Sequence, residues 1–431
     1  MRTRRRSARL AGALTTTALI VAGTASAAAA ASTHAQAKKH ITLTLWTHDY
    51  EYAKFFATEE RTWAKQYPHD DITFKATVLS SSDFWNKELA AMVSGEQLPN
   101  LLDLEISHMY LFEKPGLLAS KMINLLPAMK NKMSEFLKLE PYEYQGALYG
   151  LESALAPVGY YYQPAIFAKY GVKTPITTWQ QFYKDGLVLA KHGIAMAPVG
   201  GAGLFQSLLY EDGGEFFNSA GKDALNSPKT VQVLSFIQKG IKAGVFKLLG
   251  QTEFYTPNTY KLYEAGKVAG VIGADWYAGA ELEADAPGMK GKWKLEAMPR
   301  WPGSSLTTAV FGGTGIGVAK NSPNAKLAES LLLYAYATVQ GQVARWKQIG
   351  YFPNMIPAMS SPAVTGTAFP YFGGQKLGQI WKAVSSSVPK FYIGPTFGAV
   401  ETALTNETYS VYLNKTTPTK AAQALGAAGN S

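Results

Sequence analysis

Aromatic and hydrogen-bonding side chains follow directly after the first predicted strand of the chain. Residues 41–46 alternate apolar and polar side chains, which predicts a strand, and His48 and Asp49 come just after it. In open α/β sheets, ligands bind at the carboxyl ends of the strands. A Trp46 ring that stacks on an apolar ring face, beside a carboxylate and an imidazole, suits a sugar-like ligand. The alternative is that Trp46 belongs to the core and Asp49 caps the next helix.

Two further predicted strands end in the same kinds of side chain. Glu105 and Ser107 lie at the end of a mostly apolar strand predicted over residues 101–106. Trp276 follows a strand predicted over residues 268–272. By the same rule, these side chains are expected to face a ligand, with Trp276 as a stacking surface. The alternative for Glu105 and Ser107 is a purely structural role.

The signatures of common catalytic sites are missing from the sequence. No two histidines have the spacing of a helical zinc motif, and there is no G-x-S-x-G elbow, Walker A loop or G-x-G-x-x-G fingerprint. Residues 312–317 are rich in glycine, which fits either a strand entry with tight turns or a close approach to a ligand. A glycosidase needs only two well-placed carboxylates, so that class stays open. We expect no catalytic residue, no metal site and no cofactor.

Composition excludes several other classes of function. The 431 residues include no cysteine, which rules out disulfides, thiolate metal sites and a lipid-modified N-terminal Cys. The net charge is +10, but residues 1–37 contribute five arginines and no acidic residue, so the rest of the chain carries only +5. That mild excess does not favour nucleic-acid binding. The length predicts two domains.

The N-terminus has the order of a secretory signal peptide. A basic segment over residues 2–9 precedes a small, apolar segment over residues 10–25. Small-x-small cleavage sites end at Ala27 and Ala37, so residues 1–37 are predicted to be the signal peptide, with cleavage after residue 27 as the alternative. The apolar stretch is short for a membrane span, and an uncleaved anchor is the other interpretation. We expect an exported protein, periplasmic or extracellular.

Helices and strands alternate along the rest of the chain. Helices are predicted over residues 52–67, after an N-cap at Ser82, at Thr178 with Gln181 as a capping box, and after Ser227 with Pro at the first helical position. A last long helix is predicted from Ser322 to about residue 343. Further strands are predicted over residues 72–78 and 315–319. This order predicts an α/β fold with a mainly parallel sheet.

Nearly the whole chain after residue 40 resembles the extracellular solute-binding proteins (family 1) of ABC importers, of the maltose-binding-protein-like carbohydrate class. The resemblance is carried by short segments that occur in the order of that family. They are residues 41–46, 146–151 (GALYGL), 160–163 (YYYQ), 173–175 (KTP), 178–182 (TWQQF), 212–214 (DGG), 226–228 (NSP), 311–313 (FGG), 350–354 (GYFPN) and 372–375 (FGGQ).

The resemblance implies a two-lobed periplasmic-binding-protein fold, type II, of the Venus-flytrap kind, in which a multi-strand hinge joins two α/β lobes. The N-terminal lobe is expected at residues 38–150 plus 315–358, and the C-terminal lobe at residues 151–314 plus 359–431. The ligand is expected in the cleft between them. The resemblance implies ligand contacts at Trp46, His48, Asp49, Glu105, Ser107, Gln206, Trp276, Gly312, Gly313 and Phe397. Relatives often have Trp at the last of these positions.

The function implied is the extracytoplasmic binding component of an ABC sugar importer, which captures a mono- or oligosaccharide and delivers it to permease subunits. Many relatives carry a lipid-anchored Cys, which this chain lacks. We expect a monomer that is not an enzyme and binds no nucleic acid. The alternatives are a binder of a non-sugar solute, such as a polyamine or a phosphodiester, and a secreted glycosidase. An anionic ligand is disfavoured because the candidate positions carry no Arg or Lys.

Overall fold

The first strand shows how the alternating sequence pattern becomes structure. The computed structural model describes residues 38–152 and 155–431, so the predicted signal peptide, residues 1–37, lies outside the described residues. In β1 (Lys39–Thr47), Ile41, Leu43 and Leu45 are buried, whereas the side chains between them are exposed or half-buried. This strand confirms the prediction for residues 41–46 and places one of its faces against the core.

Short strands and helices follow one another along the described residues. The remaining strands are β2 (Asp70–Val78), β3 (Leu101–Glu105), β4 (Glu143–Tyr144), β5 (Ala147–Leu148), β6 (Leu151–Glu152), β7 (Val158–Tyr162), β8 (Ala197–Val199), β9 (Phe246–Leu248), β10 (Gly270–Ala274), β11 (Lys294–Ala297) and β12 (Thr314–Val318). The helices are α1 (Tyr50–Trp63), α2 (Ser81–Ser94), α3 (Met109–Phe112), α4 (Leu117–Lys121), α5 (Leu126–Met129), α6 (Pro164–Tyr170), α7 (Trp179–Ala190), α8 (Gly203–Glu211), α9 (Pro228–Lys242), α10 (Pro257–Glu264), α11 (Ala325–Tyr336), α12 (Val339–Ile349), α13 (Ile356–Met359), α14 (Pro362–Thr365), α15 (Leu377–Ser385), α16 (Phe397–Tyr412) and α17 (Pro418–Gly429).

Two sheets organise these elements. The first has five strands in the order β2-β1-β3-β12-β6, with β1 parallel to β2 and β3 and with β12 antiparallel to β3 and β6. The second has the order β10-β7-β11, and its pairs are antiparallel. The parallel pairing of β1, β2 and β3 confirms the prediction for that part of the chain, whereas the second sheet is not parallel.

The chain passes between the two sheets more than once. It leaves the first sheet after β6, enters the second at β7, and returns to the first at β12. An antiparallel bridge between Pro157 and Val310 places the outgoing and returning segments side by side. This arrangement is the multi-strand connection that the sequence resemblance implies.

Buried aromatic residues fill the interior around both sheets. One large cluster contains β1 and β3 residues together with Trp63 and Trp179, and a second cluster surrounds Trp293, Trp346 and Trp381 beside the second sheet. Most of the aromatic residues of the chain therefore stabilise the core rather than face solvent. Among the residues that the structure describes, no helix is long and apolar enough to span a membrane.

Helix boundaries agree with the capping signals in most places. Thr178 and Ser227 accept hydrogen bonds from the backbone N–H groups of Gln181 at 3.1 Å and Thr230 at 3.2 Å, which confirms both predicted N-caps. The N-cap of α2 is Ser80 rather than Ser82. Because residues 80–82 are all serine, the sequence alone does not determine which of them begins the helix. The strand predicted over residues 268–272 begins two residues later, at β10.

The predicted helix from Ser322 to about residue 343 is two helices. Residue Asn324 adopts a left-handed conformation with φ of 58° and begins α11, so Ser322 lies outside it. α11 ends at Tyr336, and Thr338 then caps α12 by accepting a hydrogen bond from the N–H of Gly341 at 3.0 Å. The apolar periodicity continues across this break, because α11 packs against the large cluster and α12 buries Ile349 in that cluster and Trp346 in the second. The periodicity alone therefore does not reveal the new cap.

Candidate functional site

A cleft of about 570 Å³ lies at the carboxyl ends of β1 and β3. One side carries the residues that follow these strands, and the other carries Gln206, Trp276 and residues 311–313. Eight of the ten predicted contact residues line it, namely His48, Asp49, Glu105, Ser107, Gln206, Trp276, Gly312 and Gly313. We call the side after β1 and β3 the polar wall, and the side formed by Tyr255, Trp276 and Phe311 the aromatic wall.

His48 is held in place by a carboxylate that the sequence analysis did not single out. Asp103 in β3 is fully buried, and one of its oxygens lies 2.8 Å from His48 Nδ1 and accepts the His48 backbone N–H at 2.9 Å. The same oxygen accepts the Thr47 hydroxyl at 2.7 Å. Burial lowers the pKa of His48, but the hydrogen bond and charge of Asp103 outweigh it, so the pKa is raised. The ring is therefore oriented before any ligand arrives.

Glu105 forms a second group of hydrogen bonds on the polar wall. Its Oε2 atom accepts the backbone N–H of Ser107 at 2.8 Å, accepts the Ser107 hydroxyl, and lies 2.9 Å from His108 Nδ1. The His108 ring stacks on Trp85 with centroids 4.5 Å apart and planes 16° from parallel. Because His108 and Trp85 both line the cleft, they join the site, although the sequence analysis did not select them.

Asp49 has two structural partners and also lines the cleft. One oxygen accepts the Glu51 backbone N–H at 2.8 Å, so Asp49 is the N-cap of α1. The other accepts the Tyr351 hydroxyl at 2.5 Å. Burial raises the pKa of Asp49, while these hydrogen bonds act in the opposite direction. The capping alternative for Asp49 is thus confirmed, and the same carboxylate still faces the cleft.

The aromatic wall is built around Trp276, which follows β10. Its indole N–H donates to the Phe311 carbonyl at 3.1 Å, and its ring lies on the Phe311 ring with centroids 6.0 Å apart and planes 26° from parallel. Tyr255 is 47% exposed, and its ring centroid lies 6.2 Å from that of Trp276. With its N–H already bonded, Trp276 offers a ring face to a ligand. A π-helix, Ala278–Glu283, then brings Glu281 to the cleft.

The glycine-rich segment before β12 makes a tight strand entry and also lines the cleft. Gly312 and Gly313 have φ angles of 76° and 133°, a region that favours glycine. The Gly313 carbonyl accepts the backbone N–H of Ile106 and the Tyr142 hydroxyl, both at 3.0 Å, which fixes the entry to the strand. A Cβ atom on Gly312 would lie 3.5 Å from Trp276 Nε1. The segment therefore makes the tight turn and lets the backbone form part of the cleft.

Two of the predicted contact residues do not line the cleft. Trp46 lies on the face of β1 opposite Ile41 and Leu43, where the amino group of Lys87 sits 4.7 Å from its ring centroid. Phe397 is only 2% exposed, because the start of α16 points it into the core against Tyr110 and Phe391, at centroid distances of 5.4 and 5.9 Å. Phe391 lines the cleft instead.

The charged side chains around the cleft are acidic or imidazole groups. The lining includes the carboxylates of Asp49, Glu105 and Glu281, and among the described lining residues no Lys or Arg occurs. Burial raises the pKa of Glu281 to about 7, and the Tyr260 hydroxyl donates a hydrogen bond to it. Gln206 adds an amide whose Nε2 donates to the Val310 carbonyl at 3.2 Å. The described residues contain no group of three or more His, Asp or Glu side chains placed to hold a metal ion.

A family model of bacterial extracellular solute-binding proteins matches residues 52–368. The chain belongs to this family. It is 24% identical over 319 residues to the arabinooligosaccharide-binding protein of Bacillus subtilis, which covers 72% of each chain. It is 25% identical over 328 residues to the protein of the same name from Halalkalibacterium halodurans, covering 74% of this chain and 73% of that relative.

Solved structures share the fold. Maltose-bound MalE3 of T. maritima superimposes with a TM-score of 0.74 at 17% identity, covering 90% of this chain and 99% of that chain. An ABC-transporter-associated binding protein from B. animalis subsp. lactis, solved with β-1,6-galactobiose, gives a TM-score of 0.73 at 20% identity and covers 90% and 96%. These likenesses confirm the predicted two-lobed periplasmic-binding-protein fold. At this level of identity they bear on the fold alone.

Proposed function

We propose that this family member is the extracytoplasmic substrate-binding component of an ABC sugar importer, and that it binds a mono- or oligosaccharide in the cleft. The observation that carries the proposal is the pairing of aromatic ring faces with oriented carboxylates and imidazoles around one cavity whose described lining residues include no Lys or Arg. Ring faces stack on the apolar faces of sugars, and the polar groups bind hydroxyls. Both curated relatives named above bind arabinooligosaccharides, which favours a saccharide over other solutes.

The two walls bind different parts of the sugar. On the aromatic wall, Trp276 and Tyr255 stack against the sugar ring. On the polar wall, Asp49, Glu105 and His48 hydrogen-bond its hydroxyls, with Gln206 facing them across the cleft. A ligand that touches both walls favours the closed form, because only a difference in affinity between open and closed states shifts their populations. No bond of the ligand is broken, so the protein is not an enzyme.

The lobes of this proposal follow the sheets. The sequence resemblance implies an N-terminal lobe of residues 38–150 plus 315–358 and a C-terminal lobe of residues 151–314 plus 359–431. Since β6 pairs with β12 in the first sheet, and Thr314 of β12 pairs with Glu105 of β3, we propose that the N-terminal lobe ends after Glu152 and resumes at Thr314. The hinge then includes the paired segments around Pro157 and Val310.

The proposed partners follow from this role. The closed form presents one composite surface to the permease subunits of an ABC transporter, and the protein acts as a monomer that binds no nucleic acid. The protein is exported after removal of its signal peptide, to the periplasm or the outside of the cell. With no cysteine in the chain, it is not anchored through an N-terminal lipidated Cys.

Thermal unfolding of the processed protein against a panel of solutes tests the proposal. The panel contains α-1,5-arabino-oligosaccharides, maltose and β-1,6-galactobiose, with spermidine and glycerophosphocholine as non-sugar solutes. A ligand at 100 times its dissociation constant adds about 2.7 kcal/mol, which raises the midpoint by roughly a few degrees. A shift with related saccharides supports the proposal. A shift with spermidine alone, which the acidic cleft could also attract, contradicts it.

The glycosidase alternative has its own assay. The same oligosaccharides are incubated with the processed protein, and newly formed reducing ends are measured. We expect none, because a binding component releases its ligand unchanged. Release of reducing ends that disappears in a Glu105→Gln variant would instead assign catalysis to the polar wall.

A further inference from the structure

A side chamber of about 190 Å³ adjoins the cleft behind the aromatic wall. It shares the rings of Tyr255, Trp276 and Phe311 with the cleft, so these three rings separate the two spaces. Its far side is a run of small residues, 200–203, at the start of α8. Gly203 lets the Phe311 ring approach closely, since a Cβ atom there would lie 2.9 Å from that ring.

The chamber differs from the cleft in charge. Whereas the cleft is lined by carboxylates and imidazoles, the described residues that line the chamber include no Asp, Glu, Lys, Arg or His. Aromatic and aliphatic side chains dominate instead, among them Phe254 and Ile272. A charged group placed here would lose its hydration without gaining an ionic partner.

Several of the polar side chains that line the chamber are already bonded within the protein. The Ser207 hydroxyl donates to the Gly203 carbonyl at 2.9 Å. The Gln251 amide donates to the Thr405 carbonyl at 2.6 Å, and the Trp276 indole is bonded to Phe311 as described above. These bonds leave few side-chain partners for a second hydroxyl-rich sugar in this chamber, and a hydroxyl that is buried without a partner is costly.

The size of the chamber suits a single ring. Its volume of about 190 Å³ exceeds the roughly 150 Å³ of an apolar protein cavity that takes up benzene. It is too small for the whole of an oligosaccharide, which the larger cleft can hold. The chamber therefore extends the site by one ring-sized group that is uncharged and poor in hydroxyls.

We propose that the side chamber binds the apolar end group of a glycoside, such as an aryl aglycone, whose sugar occupies the cleft. This inference rests on the proposed function, because it needs the sugar to be bound on the other side of Trp276. The ligand then runs past the three shared rings, with its hydroxyls on the polar wall and its apolar group against Phe254 and residues 200–203. The chamber makes the protein selective for glycosides with an apolar end over the same sugar without one.

Paired glycosides test the proposal directly. Isothermal titration of the processed protein is carried out with the methyl and phenyl forms of α-L-arabinofuranoside, β-D-galactopyranoside and α-D-glucopyranoside. For the sugar that binds, we expect the phenyl glycoside to bind roughly 10- to 100-fold more tightly, which is the range for burying a phenyl-sized group.

Substitutions that fill the chamber provide the second readout. Gly201 lines it in a conformation open to other residues, and a Cβ atom there meets only the Gln251 carbonyl oxygen, at 3.5 Å. Gly201→Leu should abolish the preference for the phenyl glycoside while the methyl glycoside binds as before. Gly201→Ala is the smaller variant if the first fails to fold. Gly288→Leu, at a glycine with no atom within 4 Å of its Cβ position, is the matched control and should keep the preference.

The outcomes separate this inference from the proposed function. Equal affinity for methyl and phenyl glycosides, or a phenyl preference that survives filling of the chamber, would overturn the inference and leave the saccharide site in place. If no glycoside binds and no saccharide shifts thermal unfolding, both proposals are wrong.

Discussion

The polar wall and the aromatic wall hold their polar atoms in different ways. On the polar wall, side chains bind other side chains: His48 is bonded to Asp103, and Ser107 to Glu105. On the aromatic wall, the indole N–H of Trp276 bonds to a backbone carbonyl, as does the amide of Gln206 on the same side of the cleft. The first wall therefore keeps oriented carboxylates and imidazoles for hydroxyl groups, whereas the second presents ring faces. Under the proposed function, specificity for hydroxyls and affinity through stacking therefore come from opposite sides of one cleft.

The largest expected effect concerns the aromatic wall. Trp276→Ala removes the stacking surface and should weaken binding of the saccharide identified in the panel by roughly 1–3 kcal/mol, the range for other stacking platforms. The effect is measured by isothermal titration calorimetry. Trp46→Ala is the matched control, because Trp46 lies outside the cleft, and it should leave affinity unchanged. The reverse result, with Trp46 needed and Trp276 dispensable, would exchange the roles of the two tryptophans.

A smaller effect on stability is expected from Glu281, where burial raises the folded-state pKa from 4.5 to about 7. A raised carboxyl pKa means that the protonated acid is favoured more strongly in the folded protein than in the unfolded one. The stabilisation that this group gives the folded protein is therefore complete below pH 4.5 and is lost as the pH rises through 7. We expect the free energy of unfolding to fall by about 1–2 kcal/mol over this interval from this group.

Denaturant unfolding from pH 4 to 8 checks this expectation. Glu281→Gln keeps an acceptor for the Tyr260 hydroxyl and cannot ionise, so its unfolding free energy should depend less on pH than that of the wild type. Glu283→Gln, at an exposed site on the same π-helix, is the control. An identical pH dependence in the wild type and in Glu281→Gln would contradict the account.

The smallest effect concerns the polar wall. Tyr351→Phe removes the hydroxyl that donates to Asp49, and should lower the free energy of unfolding by about 1 kcal/mol and weaken saccharide binding several-fold. Tyr409→Phe removes a similar bond, to the Leu249 carbonyl at 3.0 Å, away from the cleft. It should reduce stability by a similar amount without changing affinity. If the two variants had the same affinity, Tyr351 would not orient the polar wall.

Residues that follow strands were predictable from sequence, because local alternation locates the strand and the sheet then determines which end faces a ligand. His48, Glu105 and Trp276 were found in this way. Trp46 lies outside the cleft because the strand continues to Thr47, and the period of two places the Trp46 ring on the face opposite Ile41 and Leu43. Phe397 was selected from its position in the family pattern alone. That position does not reveal that the start of α16 buries the side chain in the core.

Other parts of the site depend on contacts between distant segments, which have no local pattern. Tyr351 reaches Asp49 across 302 residues. Asp103 lies within the mostly apolar strand predicted over residues 101–106, and no local pattern indicates that it bonds to His48. Glu281 reaches the cleft through a π-helix, whose spacing does not follow the usual 3.6-residue period. The exposed Tyr255 lies in the connection between β9 and α10, which has no periodicity.

The most direct test of the central claim is a calorimetric titration of the processed protein with α-1,5-arabinotriose, maltotriose and spermidine, repeated with Trp276→Ala. The account predicts that at least one saccharide binds with a stoichiometry of one, that spermidine gives no heat of binding, and that loss of Trp276 weakens the saccharide. Heat from spermidine alone, or saccharide binding that does not change in Trp276→Ala, would contradict the assignment of this cleft to sugars.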